Sequence, residues 1–165
     1  RPGSSDSTEK DPGLRRDDEF EWDEKFIYKL SWLARLKERV AVLRNENTPF
    51  AIGGDFNVIP EDRDCHDPKA WIQDALFRIE SRQALRRLLN MGLTDAFRIF
   101  HGGAGHYTFW DYQAGAWQKN NGIRIDHFLL SPEMADRAES CHIDTAPRGW
   151  DQPSDHTPIA IELAT

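Results

Sequence analysis

The sequence has little sulfur to work with. Its two cysteines, Cys65 and Cys141, stand far apart and form none of the close pairs that a zinc site or a small disulfide framework needs. Two reduced thiols are expected, and with them a cytoplasmic location. No apolar run approaches the ~20 residues that span a bilayer. No basic start followed by an apolar core marks a secretory signal, so no membrane partner is expected. Positive charge is also scarce: 21 Lys and Arg face 28 Asp and Glu, a net charge of −7. That balance excludes holding a polyanion by bulk charge alone. A site whose carboxylates hold a cation is acidic in itself and remains compatible with it. There is no internal repeat. There is no Met at the start either, and the opening Arg1-Pro2-Gly3-Ser4-Ser5 reads as a cut or a linker. The expectation is a piece of a longer protein.

What is present suffices for one domain: 165 residues, 39% of them hydrophobic and six of them Trp. Residues 1–19 are polar, with Pro, Gly, Ser and Asp, and read as a flexible arm. Residues 20–165 read as the folded portion. Phe26, Leu30, Leu33, Leu36, Val40 and Leu43 recur at spacings of three and four, which predicts a helix over 26–44. Phe50 to Gly54 reads as a buried strand ending in two glycines, and 61–75 as a loop. A second helix is expected over 81–91, with Gly92 as its stop. The aromatic run Tyr107 to Tyr112 predicts a strand. Ile123 to Leu130 begins in strict alternation and predicts another. A short helix from Pro132 and strands over 141–145 and 157–163 complete the series. The class is α/β, with mostly antiparallel sheet flanked by helices.

Three segments place chemistry at predicted strand mouths. In Gly53-Gly54-Asp55-Phe56-Asn57, Asp55 and Asn57 are two apart and point the same way on extended chain. A carboxylate beside an amide suits a divalent cation and a phosphate oxygen. The plain alternative is an Asx turn closing a strand. In Ser154-Asp155-His156-Thr157-Pro158, an Asp for a metal and a His for proton transfer are adjacent; a bent junction can send both into one site. The alternative is a turn Asp and a solvent His. In Ile123-Arg124-Ile125-Asp126-His127, Asp126 interrupts an apolar strand and needs a partner. His156 is the expected one, its tautomer fixed by the carboxylate. Arg124 competes, and could otherwise be in a surface ion pair. His66, His101 and His106 are expected in solvent, and His127 and His142 in packing or on an exposed sheet face.

These segments, with Tyr107-Thr108-Phe109-Trp110-Asp111-Tyr112 between them, resemble in order and content the exonuclease III family of abasic-site endonucleases. The resemblance runs from about Phe26 to Leu163. The Asp55 and Asp155 segments are shared with a wider superfamily that includes phosphatases and lipid phosphodiesterases, which supplies an alternative function. An inactive fragment is a third. The resemblance implies half of a four-layer α/β/β/α sandwich of the DNase I-like kind, its C-terminal half. It implies metal-dependent hydrolysis of DNA phosphodiesters, as a 3′–5′ exonuclease and at abasic sites, with Mg2+ or Mn2+. Double-stranded DNA with abasic sites or 3′ ends would be the partner. So would the missing N-terminal half, which in the family supplies a metal-ligating Glu. Four residues would be catalytic: Asp55 activating water or protonating the leaving oxygen, Asn57 orienting the phosphate, and His156 at the phosphate with Asp126 behind it. The metal side would draw on Asp55, Asn57, Asp155 and His156. Phe109, Trp110 and Ile125 would wall the pocket for a flipped-out abasic sugar. Ile52, Ile125, Phe128, Ile159 and Ile161 are candidates for a face left bare without the other half.

Overall fold

The computed structural model describes residues 23–165, and the arm expected over 1–19 lies outside them. The first element is helix α1, Glu24–Asn45. Asp23 caps it by accepting from the Phe26 N–H at 2.7 Å, which satisfies an amide the helix itself leaves free. Phe26, Leu33 and Val40 form its buried stripe. Helix α3, Ile79–Leu89, buries Leu85 and Leu88. The two helices close over a core with Phe56, Val58 and Leu129, and Ile52 packs at its edge. Between them the expected loop over 61–75 is partly helical. A 3-10 turn spans Asp62–Asp64 and a short helix α2 spans Pro68–Trp71, started by Asp67 accepting from Lys69 N–H.

The main sheet has the order β1-β3-β2, with β1 at Ala51–Asp55, β2 at Thr94–Asp95 and β3 at Asp126–Leu130. Both pairings are antiparallel. Asp55 lies opposite Asp126, so the register brings two acids to the same end of the sheet. Gly53 faces Phe128, whose ring would lie 2.3 Å from any Cβ built there. Only glycine leaves room for that ring against β1. The buried character expected of this strand is not found: Ala51, Gly53, Gly54 and Asp55 are exposed. Among the described residues β1 is an edge strand, paired by β3 alone.

Helix α4, Ala96–Phe100, follows β2 directly and was not expected; Asp95 caps it through the Phe97 N–H at 3.2 Å. Helix α5, Pro132–Asp136, starts on proline as expected. The second sheet is the antiparallel pair β4, Ala138–Ile143, and β5, Ile159–Leu163. Cys141, Ile159 and Ile161 pack with Phe97 and Leu130 in a cluster that joins the two sheets. Ile159 and Ile161 are therefore half-buried within this chain, and Ile125 is fully buried.

Two expected strands are corrected. Tyr107 to Tyr112 forms no regular strand; Phe109 makes isolated bridges to Ile123 and to His156. The strand expected from Ile123 is regular only from Asp126. Its first three residues bond instead to three different loops, through Arg124 N–H to Asp64 O, Phe109 N–H to Ile123 O and Phe56 N–H to Ile125 O.

Candidate active site

The site lies where β1, β3 and the two bridged loops end together. Asp55 and Asp126 arrive by strand register. His156 arrives because the 154–157 segment is tied to the 108–110 segment. Trp110 N–H donates to Asp155 O at 3.0 Å, and Thr157 N–H to Thr108 O at 2.8 Å. His156 Nδ1 then lies 2.9 Å from Asp126 Oδ2, and its Nε2 lies 3.8 Å from Asp55 Oδ2. An ionised carboxylate only accepts, so Nδ1 carries the proton and donates to Asp126. Nε2 is left facing Asp55 across a gap too long for a hydrogen bond. The Phe109 ring stands edge-on to the imidazole, centroids 5.2 Å apart.

Burial pulls the His156 pKa down, but the hydrogen bond it donates to Asp126 and the charges of Asp126, Asp55 and Asp155 outweigh it and raise the pKa. Burial raises the Asp55 pKa, with Asp126 adding to it; bonds from Asn57 and the charge of His156 oppose the rise without cancelling it. The pair is thus a carboxyl that holds a proton more readily than usual and an imidazole that does the same.

Asn57 sits at φ 50°, the left-handed region that Asn tolerates better than most residues. Its N–H donates to Asp55 Oδ1 at 2.8 Å and its side-chain amide to Asp55 Oδ2 at 3.1 Å. The Asx turn weighed as the plain alternative is therefore present, and it places the amide against the carboxylate. Asp155 is different. Its carbonyl serves Trp110, and its carboxylate stays outside the set formed by Asp55, Asp126 and His156, whose ligand atoms all lie within 4.8 Å of one another. Its charge still reaches His156 and helps to raise that pKa. The structure brings the expected apolar wall together only in part. Trp110 and Ile125 are each only 2% exposed. Trp110 packs on Tyr107 and Trp117 with its Nε1–H on Asn120, and Ile125 packs with Ile59 and Phe77. Of the three, Phe109 alone borders the histidine.

Behind the site lies a buried network that the sequence did not signal as such. Arg124 is fully buried and bonds Asp64 at 2.6 Å and Asp95 at 2.8 Å, and Arg98 bonds the same Asp64 oxygen. The surface pairing considered for Arg124 is thus replaced by a buried one, and Asp126 is left to His156. Arg124 Nη1 also donates to His127 Nδ1 at 3.1 Å, and His127 Nε2 donates to Val58 O at 2.9 Å. Burial, with the Arg124 charge, lowers the His127 pKa to about 4, so this ring is neutral. His66 and His106 are exposed as expected; His101 is half-buried, stacked on Phe97 with its Nε2 on Cys141 O. Two further residues escaped the sequence reading. Thr108 is buried, and its Oγ1 accepts from the N–H groups of Ile125 and Asp126, each at 3.1 Å. Lys29, on α1, reaches the Asn57 and Ala75 carbonyls. Nothing in the local pattern of either residue marked it.

This is a strand-end acid, amide and imidazole site of the kind that phosphoester hydrolases build, and residues 9–156 match the endonuclease/exonuclease/phosphatase family. The chain belongs to that family. It is 32% identical over 139 residues to an exodeoxyribonuclease of Bacillus subtilis, covering 84% of this chain and 53% of that one. The structure is similar to that of a 3′ phosphatase from Neisseria bound to a product DNA hairpin, with a TM-score of 0.83 and 36% identity. It is also similar to an AP endonuclease from Archaeoglobus fulgidus, with a TM-score of 0.82 and 34% identity. Each structural match covers 87% of this chain and 56% of the other. The α/β fold is thus the DNase I-like one, and the chain spans about half the length of the curated relatives it matches.

Proposed function

We propose that this chain carries the proton-transfer half of the active site of an exonuclease III-type DNA repair enzyme, hydrolysing DNA phosphodiesters at abasic sites and 3′ ends. The observation that carries the reading is the convergence of Asp126, His156, Asp55 and Asn57 at one sheet end, with His156 2.9 Å from Asp126. Asp126 fixes the His156 tautomer and favours its protonated form, so that Nε2 can meet a phosphate oxygen. Asp55, its pKa raised, exchanges a proton with the attacking water or the leaving oxygen. Asn57 orients the phosphate with its amide. The relatives, an exodeoxyribonuclease, a 3′ phosphatase bound to DNA and an AP endonuclease, favour DNA over lipid or inositol substrates.

The donor set fits a hard divalent cation, Mg2+ or Mn2+, in part. Asp55 and Asp126 offer carboxylate oxygens and His156 a nitrogen, but an octahedral ion needs mostly oxygens. Water, phosphate and residues from the rest of the protein would complete the shell, and the Glu implied by the family is the expected contributor. When bound, the ion would offset charge developing on the phosphate. Buried free thiols at Cys65 and Cys141 support the cytoplasm as the compartment. Among the described residues no helix is long and apolar enough to cross a membrane.

The test is cleavage of a duplex bearing one abasic site by the full-length protein, with magnesium, against its Asp126→Asn variant. The amide no longer stabilises an imidazolium, so turnover should fall on the order of a hundredfold or more while the circular dichroism spectrum is kept. Equal rates for the two proteins would overturn the reading.

A further inference from the structure

The Asn57 turn is held from outside its own strand, and the residue that holds it comes from α1. Lys29 Nζ lies 3.1 Å from Asn57 O and 2.5 Å from Ala75 O. Among the described residues Lys29 forms no ion pair. Its ammonium is spent on two main-chain carbonyls, with the Phe26 ring 5.1 Å away. A lysine whose purpose was solubility would point into water. The two carbonyls belong to the loop leaving β1 and to the loop entering α3. Ala75 O is anchored in turn by Ser81 Oγ at 2.6 Å, and the same two loops are tied again by Ile59 N–H on Leu76 O at 2.8 Å. Lys29 is therefore a strut between a fixed point and the Asn57 peptide.

The orientation of that peptide matters because Asn57 is left-handed, at φ 50°. A non-glycine residue stays in that region when its surroundings hold it there. On the next peptide His127 performs the matching task, donating to Val58 O at 2.9 Å. With both carbonyls pinned, the Asn57 amide is delivered to Asp55 at 3.1 Å. Lys29, Asp55 and Asn57 line one groove of about 540 Å³, so the strut stands at the edge of the site.

We propose that Lys29 is a positioning residue for the reaction: its ammonium fixes the Asn57 peptide, and through it the Asn57 amide, relative to Asp55. The inference rests on the functional reading above. It is tested in the full-length protein by a double-mutant cycle between Lys29→Met and Asn57→Ala, on abasic duplex DNA with magnesium. If Lys29 acts through Asn57, Lys29→Met lowers kcat about tenfold with KM little changed, and lowers it less than about twofold in the Asn57→Ala background. Lys29→Arg, which keeps a cationic donor, should recover part of the loss. Should Lys29→Met fail to fold, the cycle is run with Lys29→Gln, which is shorter and uncharged. A loss confined to KM would make Lys29 a plain charge contact to DNA and overturn the proposal. So would an unchanged kcat, or an equal loss in both backgrounds. Asp126→Asn is measured alongside. An inactive wild type, or Asp126→Asn at the wild-type rate, sinks the functional reading. An active wild type, an impaired Asp126→Asn and an unaffected Lys29→Met sink only the role of Lys29.

Discussion

His127 and His156 are two imidazoles in one site region whose surroundings push them in opposite directions. His127 is fully buried beneath Arg124, and its pKa falls from 6.5 to about 4. The unfolded chain takes up a proton at 6.5 that the folded chain refuses until about 4, so stability rises with pH across that window and is lost as pH falls through it. The loss is on the order of 3 kcal/mol. His156 has a raised pKa, so its contribution is fully present below 6.5 and fades as pH rises through the folded value. Burial would raise the Asp95 pKa, but Arg124 lowers it below 3.8, so its contribution is present throughout this window and is lost only as pH falls further. Comparing wild type with His127→Gln, which keeps a donor and an acceptor, isolates the first effect. Urea unfolding at about pH 7 and pH 4.5 should show wild type losing a few kcal/mol more than the variant. Equal losses would refute the assignment. At this scale much was legible. An Asp inside an apolar strand asked for a partner, and His156 stands 2.9 Å from it. Arg124 was not legible, because its carboxylates at Asp64 and Asp95 are distant in sequence and a buried ion network leaves the same local pattern as an exposed one.

Among the elements, the long helices were the easiest to read, since α1 and α3 bury stripes spaced at the helical period. The strands were harder. Ile123, Arg124 and Ile125 alternate in sequence, yet all three are buried, so alternation did not separate core from solvent. Periodicity reports the faces of a regular strand, and these residues are held by loops. Thr108 is the knot. Its hydroxyl accepts from Ile125 and Asp126 N–H, and its carbonyl accepts from Thr157 N–H, beside His156. One side chain thus ties the aromatic run to the Asp126 strand, and one carbonyl ties it to the His156 loop. Thr108→Val keeps the shape and removes the acceptor, leaving two N–H groups unpaired. A destabilisation of about 1–3 kcal/mol is expected. The Asp126 to His156 geometry should loosen, so kcat should fall by more than the unfolded fraction accounts for. Thr108→Ser should restore both. Denaturant unfolding and steady-state cleavage of the same samples check this, and a Val variant as stable and as fast as wild type would refute it.

For the whole molecule the informative surface is β1. Four of its five residues are exposed, and β3 is its only partner among the described residues. An open strand edge presents unpaired N–H and C=O groups that another strand can satisfy. Apolar side chains add to it: Ile27, Tyr28 and Trp32 lie exposed on α1 near the groove that reaches Asp55. Each Å² of apolar surface covered by a partner is worth roughly 25 cal/mol, so several hundred Å² would approach the 5–15 kcal/mol stability of an ordinary domain. The face expected to be bare, however, is partly closed. Ile125 is buried and Ile159 and Ile161 are half-buried in this chain's own clusters, so among the described residues the open surface is the β1 edge and the exposed part of α1. The cation set has the same incompleteness, with two carboxylates and one imidazole. The matched region is 53% of the Bacillus subtilis relative, and a comparable length of chain is the natural candidate to cover the edge and add oxygen ligands. The 165-residue chain alone should therefore self-associate, bind magnesium weakly and nick abasic DNA slowly. Adding in trans the part of the Bacillus subtilis relative that this chain does not match should yield a defined complex by sedimentation and raise the nicking rate, and a chelator should abolish that gain until magnesium or manganese is returned. A lone chain that sediments as a monomer, unfolds cooperatively and nicks as fast as the complete protein would show that the edge and the metal set are already sufficient.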